Sequence, residues 1–203
     1  MKLYFSRGAC SLADLIALCE AGFEFDSEGV DLQTKRTTSG RDFRTINPKG
    51  YVPALVLDTG EVITENVAVL DWIAGRYPPL GGDGPLGRTR QLEALVFITT
   101  ELHGGFKPMW HGGGEAEQAK ARETLADRFR FIAGTMHGDY LFGDRLSAPD
   151  CYLFVMLRWA RNFGVAVPDA LLAFRARMEA RPSVQAALRR EREDKAVVAE
   201  AIA

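Results

Sequence analysis

Residues 4–18, YFSRGACSLADLIAL, decide how the chain begins to fold. The β-forming run KLYFS at 2–6 gives way through Gly8 to apolar residues at 12, 15, 16 and 19, a stripe at helical spacing. Ser11 and Asp14 stand in S-x-x-D order, the signature of a capped helix start, and Gly22 is placed to end that helix. Residues 23–32, FEFDSEGVDL, alternate enough for a second strand, so the opening predicts a β-α-β unit. Cys10 sits at the junction of strand and helix. A thiol there meets the unpaired N–H groups of the first helical turn, which favour an anion and lower a thiol pKa from its free value near ~8.5. Asp14 opposes this with its own charge, and Ser11 offers a hydroxyl to a thiolate. The competing reading of Cys10 is a packed structural cysteine.

Residues 33–45 read as a loop rich in Lys, Arg, Thr and Gly, followed by a short helical turn. YVPALVLDTGEVITE at 51–65 predicts a hairpin, with strands from Ala54 to Leu57 and at Val62-Ile63 around the turn Asp58-Thr59-Gly60. Val67, Leu70, Ile73 and Tyr77 give a helix over 66–77, stopped by Pro78-Pro79. Residues 78–88, PPLGGDGPLGR, hold three Pro and four Gly in eleven positions and read as a linker. The expected division is therefore an α/β domain over 1–77 (β-α-β, loop, β-β-α) and an all-helical domain over 89–203. Its helices are placed at 89–109, 115–137, 147–162, 169–180 and 183–195. LSAPDCYLF at 146–154 carries a second S-x-x-D box, Ser147 with Asp150, and Leu146 and Cys151 occupy the hydrophobic staple positions. ALRREREDK at 187–195 mixes both signs of charge and reads as a solvated helix face.

The bulk properties narrow the function. A net charge of −2 and a pI near 6.0 give no general attraction to nucleic acid or to an anionic membrane. No apolar run approaches the ~18 residues of a membrane helix. Three cysteines, at 10, 19 and 151, do not make a disulfide framework and suit a reducing, cytoplasmic setting. Cys19 and Cys151 read as packed small hydrophobes. His111 and His137 have no ligand spacing with the cysteines, so no metal is expected.

Three further segments suggest chemistry. A proline opening a hairpin strand makes Val52-Pro53 a candidate cis peptide, with the Val52 backbone turned outward to pair with an extended peptide; a trans proline at a strand edge is the alternative. TEN at 64–66 precedes a helix N-terminus, where free N–H groups and Asn66 suit an anion and Glu65 suits an ammonium, or where the segment merely caps the helix. His103 shares a helical face with Leu92, Val96, Thr99 and Phe106, the ordinary pattern of a core or interface group.

GACSLA (8–13), NPKGYVPAL (47–55), TENVAVL (64–70), ELHGGFKP (101–108) and LSAPDCYLF (146–154) together resemble the cytosolic glutathione transferases, most closely the bacterial beta class. The resemblance spans most of the chain. It implies a thioredoxin-like N-terminal domain, a helical C-terminal domain and a homodimer acting on glutathione and a small hydrophobic electrophile. By position it implies that Cys10 is the active-site cysteine, able to form a mixed disulfide with glutathione, with Ser11 beside it. It implies that Val52 before cis-Pro53 pairs with the tripeptide backbone, that Glu65 and Asn66 take the γ-glutamyl ammonium and carboxylate, that Lys35 takes the glycyl carboxylate, and that His103 completes the site. The electrophile pocket would be built from side chains such as Phe106, Met109 and Trp110. Arg7, Val96, Gly104 and Asn66 depart from residues usual in that family, as does a longer C-terminal end from Glu191 onward. The activity expected is conjugation of glutathione to small electrophiles or thiol–disulfide exchange through Cys10. A non-catalytic ligand-binding member of the fold is the alternative.

Overall fold

The structure is a computed structural model and describes residues 1–194. The expected helix over 183–195 and the domain over 89–203 therefore run beyond the described residues. A sheet of five strands forms one side of the molecule: β1 (Lys2–Phe5), β2 (Asp26–Asp31), β3 (Arg36–Thr37), β4 (Ala54–Val56) and β5 (Val62–Thr64), in the spatial order β3-β2-β1-β4-β5. β1 pairs parallel with β2, as a β-α-β crossover requires, and antiparallel with β4. β3 lies within the stretch read as loop; two residues are too few for a period-2 signal.

Alternation along β1 sorts its side chains onto two faces. Leu3 and Phe5 join the large core shared with the helices, while Tyr4 joins Val30, Phe43, Val52 and Ala54 in a smaller cluster on the opposite face. α1 (Leu12–Glu20) is buried along nearly its whole length. It ends in a Schellman arrangement: Phe23 N–H donates to Leu18 O, Gly22 N–H to Cys19 O, and Gly22 takes φ +67°. α2 (Asn66–Arg76) follows β5 directly.

The remaining helices are α3 (Gly87–Phe97), α4 (Lys107–Trp110), α5 (Glu115–Thr135), α6 (Ala148–Asn162), α7 (Asp169–Glu179) and α8 (Pro182–Glu193). α6 is the central one: every residue from Ala148 to Leu157 is buried, so this stretch is enclosed on all sides. Both α6 and α8 lie against α1. The Ser147–Asp150 capping box is present, and Leu146 and Cys151 are both buried. The corresponding box at Ser11 and Asp14 does not form, because both side chains are engaged elsewhere.

The single helix expected over 89–109 is broken into segments. After α3 the chain widens into an underwound π-helical stretch, Ile98–His103, then tightens into a 3₁₀ turn, Gly104–Phe106, before α4. Gly104-Gly105 contributes no helix propensity, and Pro108 cannot continue the ladder behind it. The extra residue in the π turn shifts the phase. Gln91, Leu95, Ile98, Leu102 and Phe106 are buried, whereas Val96 is half exposed, so Val96 and His103 do not share a face as the spacing had suggested.

Candidate functional site

Residues 6–11 form a tight loop between β1 and α1. Ser11 Oγ accepts from Ser6 N–H at 3.1 Å and its hydroxyl donates to Ser6 O at 3.4 Å. Ser11 is fully buried, so its hydroxyl tightens the loop and is not offered to a thiolate, contrary to the sequence reading. Cys10 lies at the edge of the core, 9% exposed, with its thiol 3.7 Å from Val52 O. The expectation of a lowered thiol pKa is overturned: burial, reinforced by the Asp14 carboxyl, pushes the Cys10 thiol up to about 12. The backbone N–H groups of Cys10 and Ser11 pull the other way, as the helix-terminus argument holds, but desolvation outweighs them. Unliganded Cys10 is thus a neutral thiol at physiological pH.

Asp14 and Asn66 explain that environment. Asn66 Nδ2 donates to Cys10 O at 2.9 Å and to Asp14 Oδ2 at 3.0 Å, joining the start of α2 to the loop of the thiol. Asp14 is completely buried, which pushes its carboxyl well above the usual carboxylate range, and its Oδ1 has no hydrogen-bond partner among the described residues. Asn66 therefore spends its amide inward. The expectation that this side chain takes a ligand carboxylate is not supported, although the free N–H groups at the start of α2 remain.

The Val52-Pro53 peptide bond is cis, as the hairpin sequence suggested. Sheet pairing begins at Ala54, so Val52 lies ahead of the β4 ladder, next to Cys10. Lys35 approaches from the turn between β2 and β3: its Nζ donates to Gly50 O at 3.1 Å and stands 5.8 Å from the centre of the Tyr51 ring. Glu65 precedes α2 with φ +74° and ψ 128°, a conformation costly for any residue with a Cβ. Its carboxylate is largely exposed and pairs with Lys49 at 2.5 Å. Glu65 thus sets an exposed carboxylate on a strained backbone at the mouth of a helix N-terminus.

His103 stands on the helical side. Its Nδ1 is 2.6 Å from Tyr152 Oη, and its ring meets Trp110, Tyr152 and Trp159 edge to face, at 5.4, 6.0 and 5.0 Å between centres. Burial lowers its pKa to about 4, so the imidazole is neutral at physiological pH. Burial also pushes the Tyr152 phenol up, and the Cys10 sulfur adds to that shift. Trp159 Nε1–H donates to Gly8 O at 2.8 Å, so the Trp159 indole joins His103 to the Cys10 loop. Trp110, 37% exposed, is accessible from solvent, whereas Phe106 is wholly buried and belongs to the core rather than to a pocket wall.

The structure thus brings Cys10, Val52 and Asn66 into one cluster, sets Lys35 beside Gly50 and Tyr51, and gives His103 its own aromatic cage. Asp14, Tyr152 and Trp159 were not assigned to the site by sequence reading. Their partners are 52, 49 and 151 residues away along the chain, a separation at which no local spacing carries a signal. Among the described residues there is no group of three or more metal-ligating side chains, and no helix is long and apolar enough to cross a membrane.

The chain matches two family models, Glutathione S-transferase, N-terminal domain, over residues 9–76 and Glutathione S-transferase, C-terminal domain, over residues 96–182. It is 37% identical over 198 residues to the glutathione S-transferase GstA of Escherichia coli O157:H7, covering 94% of this chain and 98% of that one. A sphingomonad glutathione S-transferase solved with glutathione is 40% identical with a TM-score of 0.89, covering 95% of this chain and 100% of the other. The beta-class enzyme of Sphingomonas chungbukensis is 40% identical with a TM-score of 0.85, over 94% and 98% of the two chains.

Proposed function

Since the chain belongs to the glutathione S-transferase family, and is a glutathione-using transferase, we propose that it joins the sulfur of glutathione to a small electrophile beside Cys10. The observation that carries this reading is the contact of the Cys10 thiol with Val52 O, where the backbone runs ahead of the β4 ladder. Glutathione lies along Val52 and Pro53. Its γ-glutamyl ammonium replaces Lys49 on Glu65, its carboxylate takes the N–H groups that begin α2, and its glycyl carboxylate reaches Lys35. The sulfur then rests against Cys10.

In this reading Cys10 works as a neutral donor. Its S–H supports the glutathione thiolate, together with the N–H groups at the start of α1. The glutathione sulfur forms the new C–S bond, the electron pair of the broken bond leaves with the leaving group, and the thiol proton goes to solvent. The cycle involves no net oxidation. A thiol held near 12 is a poor nucleophile, which favours conjugation over disulfide exchange through Cys10. His103, being neutral, contributes as a hydrogen-bonding group beside Trp110 rather than as a cation. The residues over 1–77 act as the glutathione-binding domain, those after the linker at 78–88 wall the electrophile side, and a second copy closes on the apolar surface around Phe97 and half-exposed Val96 and Phe131. The three free cysteines fit a reducing cytoplasm.

The test is Cys10→Ala, assayed with glutathione and an aryl halide. Loss of one donor to the sulfur lowers kcat about five- to tenfold and leaves the rate dependent on ionisation of bound glutathione. A loss of a thousandfold or more would show Cys10 to be the covalent nucleophile and overturn the conjugation mechanism.

A further inference from the structure

In the segment read as a solvated helix face, Arg189, Arg192 and Glu193 are exposed, but Glu191 is not. Glu191, near the end of α8, is 4% exposed, and its Oε1 accepts from Gly8 N–H at 3.0 Å. The other side of the same residue is held from α6, where Trp159 Nε1–H donates to Gly8 O at 2.8 Å. Gly8 takes φ +72° at the bend of the loop, two residues before Cys10. Just beyond α8, Asp194 accepts from Gly29 N–H at 2.5 Å and from Thr38 Oγ1 at 2.6 Å, so the same helix end is also tied to β2.

We infer that Glu191 is a positioning residue: with Trp159 it clamps both hydrogen-bonding groups of Gly8 and thereby fixes the Cys10 sulfur against Val52. The inference rests on the reading above that Cys10 adjoins the glutathione sulfur. The six-residue loop that carries the Cys10 sulfur has few anchors of its own, namely Ser6, Ala9 and Ser11, all within the loop. The anchors from outside it include a charge-assisted bond from the carboxylate of α8 and the indole of α6. Cutting either one raises the population of loop openings that expose Cys10; Glu191 makes its contact from α8, whereas Trp159 is also part of the core around α6.

The experiment is alkylation of the three cysteines by iodoacetamide in the full chain, resolved by peptide mass, for wild type, Glu191→Ala, Glu191→Gln and Trp159→Phe. Cys151 is fully buried in α6 and reports global opening. Cys10 is expected to react about tenfold faster in Glu191→Ala and in Trp159→Phe, while Cys151 keeps its wild-type rate. Glu191→Gln retains an acceptor oxygen and is expected to stay within about twofold of wild type. In turnover, Glu191→Ala lowers kcat about fivefold with little change in the glutathione KM, since the tripeptide's ends bind elsewhere. Cys10 rates unchanged in both clamp variants would overturn the inference, as would Cys10 and Cys151 accelerating together. Trp159→Phe carries the test if Glu191→Ala does not fold. The labelling needs no glutathione, so failure of wild type to bind glutathione would sink the functional reading separately.

Discussion

Glu65→Ala is expected to raise the KM for glutathione about 10- to 100-fold while leaving kcat within a few-fold of wild type. The carboxylate stands at the mouth of α2, exposed and paired with Lys49, where the proposed binding mode puts the ligand ammonium. A charge-assisted hydrogen bond of this kind contributes about 1.5–3 kcal/mol, which sets the range. Glu65→Gly carries a second, opposite effect. At φ +74° a Cβ is strained, and glycine removes that strain, so the variant gains about 1 kcal/mol of stability while losing affinity. Steady-state kinetics and a melting curve read the two effects separately. An alanine variant with an unchanged KM would remove Glu65 from the glutathione site.

The largest loss of stability is expected at Asp150→Ala. Asp150 is wholly buried at the start of α6 and accepts from Ser147 N–H at 2.7 Å, from the Ser147 hydroxyl, and from Leu141 N–H at 2.9 Å. Burial pushes its pKa up to about 6, yet these donors and the nearby Arg181 favour the carboxylate at neutral pH. Alanine strands the buried donors at the head of the central helix and costs about 3–5 kcal/mol, a fall in Tm of roughly 10 °C for a chain of this length. Calorimetric melting tests it. Because Asp150 is remote from the ligand groups, whatever folded fraction remains should bind glutathione normally. A drop of under about 2 °C would mean the box contributes little.

The parts of the fold legible in the sequence are those fixed by local pattern. β1, α1 and β2 follow from alternation and a helical stripe, the hairpin from Asp58-Thr59-Gly60, and α6 from the Ser147–Asp150 box. The site was legible in position but not in environment. Cys10 does stand at a helix start, as its neighbours indicate, but whether the dipole or desolvation wins depends on Val52 and Asp14 being folded over it. Asn66 and Ser11 carry the right chemistry for a ligand, yet each has a closer partner supplied by tertiary structure. The phase of His103 was misjudged because a π turn is invisible to a 3.6-residue period. Glu191 was misjudged because mixed charge ordinarily marks a surface, and only the approach of α8 to Gly8 gives it a buried partner.

The proposed mechanism depends on where glutathione sits. A crystal structure of the protein with reduced glutathione is the most direct measurement. The predicted result has the tripeptide backbone paired with Val52, its ammonium on Glu65, and its sulfur within about 4 Å of Cys10 Sγ. Glutathione bound away from Val52 and Glu65, or with its sulfur remote from Cys10, would contradict it.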